Sequence, residues 1–293
     1  MIIAVASGKG GTGKTTVAVS LALSLADLSP FYLDCDVEEP NAALFLHPEL
    51  TECREAGQMI PAVDLSRCTA CGHCAEVCRY HAIAVVGQQV LIFPELCHGC
   101  GSCTYNCPAQ ALHEVFEPLG TLERGRVFPW DRGLPAPSSS GEITFAQGTL
   151  AIGSAMATPI IRQLKQWVIP PEGTDRPVIL DAPPGTACPV VETLHGADLA
   201  LMVTEPTPFG LHDLRQAVEV ARDQLGLPVA VIINRDGVGT ADVDTYCAEE
   251  GLPIVLRIPL ERAIAEGIAQ GRTLVEIHPE YRARFRQLFE ALP

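Results

Sequence analysis

Three absences narrow the reading of this 293-residue chain. No apolar run approaches the length that crosses a bilayer, so a soluble protein is expected, without membrane attachment. No charged, apolar, small-residue leader is expected, since Met1 runs straight into a strand-like segment. Basic excess is missing too. The 20 Lys and Arg stand against 35 Asp and Glu, a net charge of −15, whereas a nucleic-acid partner calls for a positive face. Acidity of this degree suits cationic partners or simple solubility. The length is enough for a sizeable core, and the sequence reads as one α/β domain carrying a small insertion.

Cysteine is what the chain has in quantity: twelve, eight of them in two matching C-x2-C-x2-C-x3-C runs. The first is Cys68, Cys71, Cys74 and Cys78; the second is Cys97, Cys100, Cys103 and Cys107, followed by Pro108. In this spacing three thiolates of one tight loop cap three irons of a cubane, and the fourth reaches across to the other cluster. One [4Fe-4S] would then take Cys68, Cys71, Cys74 and Cys107, and the other Cys78, Cys97, Cys100 and Cys103. Zinc sites more often join two C-x2-C hooks across a longer spacer. So many thiols belong to a reducing compartment, and oxygen-sensitive clusters suit an anaerobic cytoplasm; a cytoplasmic protein is expected. The two runs resemble bacterial-type two-cluster ferredoxins, with Arg79 standing where the first run would usually carry proline.

A second motif opens the chain. IIAVA reads as a buried strand, SGKGGTGKTT follows at once, and VAVSLALSLADL continues with a helical pattern. Gly8, Gly13, Lys14 and Thr15 occupy the fixed positions of G-x-x-x-x-G-K-[ST]. Gly10, Gly11 and Thr12 lie between them, so backbone N–H groups can curl around phosphate oxygens at a helix start. Lys14 is expected on the β- and γ-phosphates of ATP, Thr15 on Mg2+, and Thr16 at the α-phosphate.

Lys9, early in KGGTGKTT, makes the loop resemble the deviant Walker A of the MinD/ParA/nitrogenase-iron-protein class of ATPases. That resemblance implies an ATP-dependent dimer, of two copies or with a related ATPase, in which Lys9 reaches phosphates held by the partner as an arginine finger does. A solvated lysine at the loop rim is the alternative. Within the same resemblance FYLDCD ends a strand with Asp34 on the Mg2+ side and Asp36 orienting the attacking water, although acids at strand ends also serve as caps. PVILDAPPG places Asp181 at the Walker B position and Gly185 by the γ-phosphate. VAVIINRDG places Asn234 either at the adenine or simply in a turn. Lys9, Lys14 and Asp36 are the catalytic candidates.

Strand patterns at 2–6, 31–35, 177–181, 199–204, 228–233 and 253–257 alternate with helical ones. This implies a mostly parallel, doubly wound P-loop fold with ligand at the strand carboxyl ends. The expected organisation is an ATPase domain in two parts, 1–60 and 146–293. Between them lie an α+β ferredoxin-like insert at 61–112 and a Pro-, Gly- and Ser-rich connection at 113–145. As a whole the chain resembles MinD-superfamily ATPases with an inserted two-cluster ferredoxin domain.

Four cysteines remain. Cys35 reads as a small buried residue, Cys53 stands apart, and Cys247 lacks the nearby cysteine with which Mrp-type carriers share a cluster. Cys188, just past Gly185, has a location resembling that of a cluster ligand in the nitrogenase iron protein, yet residues 141–180 hold no cysteine to complete such a site, so a buried or partner-facing thiol is expected. In the C-terminal run, Phe285, Leu288, Phe289 and Leu292 share a helical face that suits either core packing or a membrane surface. Three functions follow as expectations. The first is nucleotide-gated electron transfer to a redox or metallocofactor partner. The second is iron–sulfur cluster carriage, and the third is a positioning ATPase that senses redox state.

Overall fold

The computed structural model describes residues 1–129, 141–239 and 242–292. The chain divides into two compact units. One comprises Met1–Cys53, Leu122–Thr149 and Ile161–Pro293; the other comprises Arg54–Thr121 and Leu150–Ile160.

The strands are β1 (Ile2–Ala6), β2 (Phe31–Asp34), β3 (Glu49–Val63), β4 (Ile83–Val86), β5 (Gln89–Ile92), β6 (Leu112–Val127), β7 (Ile143–Leu150), β8 (Val178–Asp181), β9 (Leu199–Thr204), β10 (Val229–Asp236) and β11 (Ile254–Pro259). Nine of them form one sheet in the order β11-β10-β9-β1-β8-β2-β7-β6-β3. The β1, β2, β8 and β9 residues are almost all buried, as near-continuous apolar runs must be in a parallel sheet covered on both faces. β1 pairs in parallel with β8 on one side and β9 on the other, and β2 pairs in parallel with β8 and β7. The carboxyl ends of β1, β2 and β8 therefore come together, which is where open α/β sheets bind ligands.

The helix Lys14–Ser24 is buried along most of its length, so it needs cover on every side. The C-terminal helix Glu280–Ala291 supplies part of it. Tyr281, Phe285 and Leu288 are buried, Phe289 and Leu292 pack against the same core, and Arg286 reaches Asp27 Oδ1 at 2.6 Å. Of the two readings of that run, packing is the one realised. No described helix is long and apolar enough to cross a membrane.

The expected connection at 113–145 needs correction. Residues 113–127 belong to strand β6 and 143–145 to β7, while 130–140 lie outside the described residues. Composition misled because glycine is used here for close approach between backbones. A Cβ at Gly125 would fall 2.0 Å from Glu49 O, and one at Gly57 would fall 2.1 Å from Glu117 O.

The second unit carries the duplicated cysteine run, and its structure repeats with it. Cys68 to Cys97 is an offset of 29 residues (97 − 68). The same offset relates the short helices His73–Glu76 and Ser102–Tyr105. It also relates three pairs of left-handed residues: Ala70 and Gly99, Gly72 and Gly101, His81 and Gln110. β4 and β5 form a separate antiparallel hairpin.

Candidate functional site

Gly11 and Gly13, with φ of +78° and +94°, turn the chain between β1 and the helix Lys14–Ser24. Both angles lie where only glycine is unstrained. The loop opens on a cavity of about 550 Å3. Gly10, Gly11, Gly13, Lys14, Thr15, Thr16, Asp36 and Asn234 all line it, and Pro259, Leu260, Ile264 and Ile268 give it apolar lining. Unpaired N–H groups at a helix start, a buried lysine and an apolar wall suit a nucleotide.

The acids divide by environment. Asp181 is 1% exposed; its Oδ2 accepts from Tyr32 Oη at 3.0 Å, and the Thr15 hydroxyl bonds to it as well. Asp181 Oδ1 is buried without a partner, a cost that a bound cation or its water would remove. Thr15 and Asp181 thus fit the needs of a Mg2+ site. Burial pushes Asp181 up to about 6 against the pull of Thr15 and Lys14. Asp36 is pushed up to about 6 as well, by burial first, with Lys14 opposing.

Asp34 is bonded to the loop that follows it. Oδ1 accepts from Asp36 N–H at 3.1 Å, and Oδ2 from Asn41 and Ala42 N–H, both at 3.0 Å. Both oxygens thus hold the loop that carries Asp36, and Oδ1, with one donor, keeps acceptor capacity for a water. Burial and the neighbouring Asp181 raise its pKa.

Other expected residues stand back from the cavity lining. Gly8 passes against the helix Pro208–Val218, where a Cβ would meet Asp213 O at 2.2 Å. Thr12 is 2% exposed. Gly185 has φ +95° and gives its N–H to Ser7 O at 3.0 Å, and Pro184 lines the cavity in its place. Lys9 Nζ lies 3.5 Å from Glu205 Oε2. Asn234 lines the cavity and also donates from Nδ2 to Thr12 O at 2.7 Å, clamping the loop. Sequence reasoning missed Tyr32, Glu205 and Arg235. A hydroxyl inside the otherwise apolar FYL run was the one signal on offer for Tyr32.

The cysteines assemble in two groups. One cavity is lined by Cys68, Cys71, Cys74 and Cys107, the other by Cys78, Cys97, Cys100 and Cys103. Four sulfurs accept backbone N–H groups: Cys68 from Ala70 and Cys97 from Gly99 at 3.5 Å, Cys78 from Ala82 and Cys107 from Ala111 at 3.3 Å. None of the twelve cysteines is in a disulfide. Among the described residues no three His, Cys, Asp or Glu are arranged to hold a single metal ion. A cubane asks for something else, since it gives each thiolate its own iron. Four sulfurs around one cavity, supported by N–H donors, fit that group. Elsewhere Cys35 and Cys247 are buried, while Cys53 and Cys188 are exposed.

The model of the CobQ/CobB/MinD/ParA nucleotide binding domain matches residues 3–275. The chain belongs to that family. An uncharacterised protein of Methanocaldococcus jannaschii is 26% identical over 287 residues, covering 94% of this chain and 92% of that one. An iron–sulfur cluster carrier protein of Pyrococcus abyssi is 23% identical over 292 residues, covering 93% and 78%. Among solved structures, the septum site-determining protein MinD of Pyrococcus horikoshii, complexed with Mg-ADP, matches with a TM-score of 0.56 and 18% identity over 99% of this chain and 94% of that one. At that identity the likeness speaks for the fold alone.

Proposed function

We infer that this family member is an ATP-hydrolysing iron–sulfur protein that couples its nucleotide state to electron transfer toward a partner redox or metallocofactor protein. Its cofactors are ATP, Mg2+ and two [4Fe-4S] clusters, and it works as an ATP-dependent dimer. The observation that carries the reading is the division of eight cysteines into two cavities of four, each set combining three from one run with the fourth from the other. A cluster with all four ligands supplied by one chain is built to stay and pass electrons. In the nucleotide half, Lys14 neutralises phosphate charge, Thr15 and Asp181 hold Mg2+, Asp36 orients water, and Lys9 acts across the dimer. Phosphoryl transfer needs little beyond such positioning.

The test is anaerobic reconstitution with iron quantitation. About eight irons per chain are expected from two cubanes, with a Mg2+-dependent ATPase activity lost in Lys14→Ala. Cys107→Ser should damage the cluster of the first run, because the fourth ligand crosses over. Zinc, or a single cluster, would overturn the cluster reading.

Carriage of clusters is the second reading, favoured by the likeness to the Pyrococcus abyssi carrier along 93% of this chain. It predicts release of iron–sulfur to an apo-acceptor in the presence of ATP. Retention of all eight irons through repeated turnover decides for electron transfer.

A further inference from the structure

The duplication makes each cysteine cavity a control for the other. At the 29-residue offset, Thr69 corresponds to His98 (98 − 69) and Ala109 to Tyr80 (109 − 80), and all four line the cavities. The first cavity therefore has a small hydroxyl and a methyl where the second has two rings. Those rings are stacked, with centroids 3.8 Å apart and planes 18° from parallel.

Backbone donors do not distinguish the sites. Each set has one sulfur accepting an N–H at 3.5 Å and one at 3.3 Å. Burial does. Cys97 and Cys103 are each 8% exposed, while their counterparts Cys68 and Cys74 are only half-buried. Reduction of a [4Fe-4S]2+ cluster to [4Fe-4S]+ adds one negative charge, and a site with less water stabilises added charge less.

We propose that the two cluster sites are inequivalent. The cluster of Cys68, Cys71, Cys74 and Cys107 is the solvent-facing one, reduced first, and exchanges single electrons with a partner redox protein. The cluster that Cys78, Cys97, Cys100 and Cys103 would hold, in the cavity lined by the Tyr80–His98 pair, is the sheltered one of lower potential. One electron leaves the reduced partner and one cluster gains it, with no bond made or broken. This rests on the reading of two resident clusters, and iron content separates the two claims: fewer than about eight irons in the unmodified chain sinks both.

With full iron content, potentiometry followed by EPR should resolve two reduction steps. The expected separation is about tenfold in equilibrium constant, or about 59 mV for a one-electron couple. A ferrous chelator should remove iron in two phases. Tyr80→Ala with His98→Thr gives the second cavity the side chains of the first at these two positions. It should merge the two steps and speed the slow phase severalfold. Thr69→His with Ala109→Tyr makes the reverse exchange and should slow the fast phase; it decides the matter if the first variant fails to retain its iron. A single step in the unmodified protein, or variants that leave the separation and both phases unchanged, overturn the proposal.

Discussion

Lys9 is held by Glu205 of its own chain, Nζ to Oε2 at 3.5 Å, and the same carboxylate accepts Arg235 Nη1 at 2.5 Å. Glu205 is only 7% exposed, so its charge leans on both cations. The loop lysine is thus parked beside the nucleotide cavity, and action on a partner's phosphates requires it to leave Glu205. Lys9→Ala should spare nucleotide binding while lowering ATP-dependent dimerisation, with turnover down by about 10²-fold or more if Lys9 acts as a finger. Glu205→Gln, which frees the lysine, should favour the dimer at the cost of about 1–3 kcal/mol in stability. Sedimentation and ATPase assays on both variants check this. Parental turnover in Lys9→Ala contradicts the trans-acting role.

Tyr32 holds Asp181 from inside the core. Its ring is fully buried and stacks on Phe145 at 5.9 Å, so the hydroxyl can point in few directions. Tyr32→Phe keeps the stack and removes one hydrogen bond, for about 1 kcal/mol of stability. Mg2+-dependent nucleotide affinity should fall severalfold, with Mg2+-free binding unchanged. Calorimetry with and without the metal separates the two; equal losses in both would assign Tyr32 to packing alone.

Asp36 gives the pH dependence its sign. Its folded pKa of about 6 exceeds the ordinary value near 4, so the folded state keeps that proton longer. The stability it contributes is complete below about pH 4 and is lost as pH rises toward about 6. Asp36→Asn, which cannot ionise, should therefore gain on the unmodified nucleotide-free protein by about 1 kcal/mol across that window, discounted for partial exposure. Urea unfolding at each end of the window measures it. A gap that narrows as pH rises has the wrong sign.

The sequence announced features whose partners are near in the chain. The loop from Gly8 to Thr15 works through its own backbone, and the cysteine spacing already told which four sulfurs would surround each cavity. Asn234 was left between the adenine and a turn, and its bond to Thr12 O, 222 positions away, depended on strand order. Tyr32 met Asp181 for the same reason, since β2 and β8 are neighbours in space but 149 positions apart at that bond. The bonds from Asp34 to its own loop were not legible, because a strand-end acid that caps a loop has the same sequence signature as one near a metal. Strand β6 was hidden by Gly120 and Gly125, which read as turns.

Under the proposed function nucleotide state and cluster state are coupled, and linkage makes that coupling a single measurable quantity. If ATP shifts a cluster potential, reduction must shift ATP affinity by the same free energy. About 59 mV in a one-electron couple corresponds to a tenfold change in affinity. The decisive measurement is EPR-monitored potentiometry of the full chain with and without a non-hydrolysable ATP analogue. The coupling should appear as a shift in at least one cluster that disappears in Lys14→Ala. Identical potentials and spectra in both nucleotide states would contradict it.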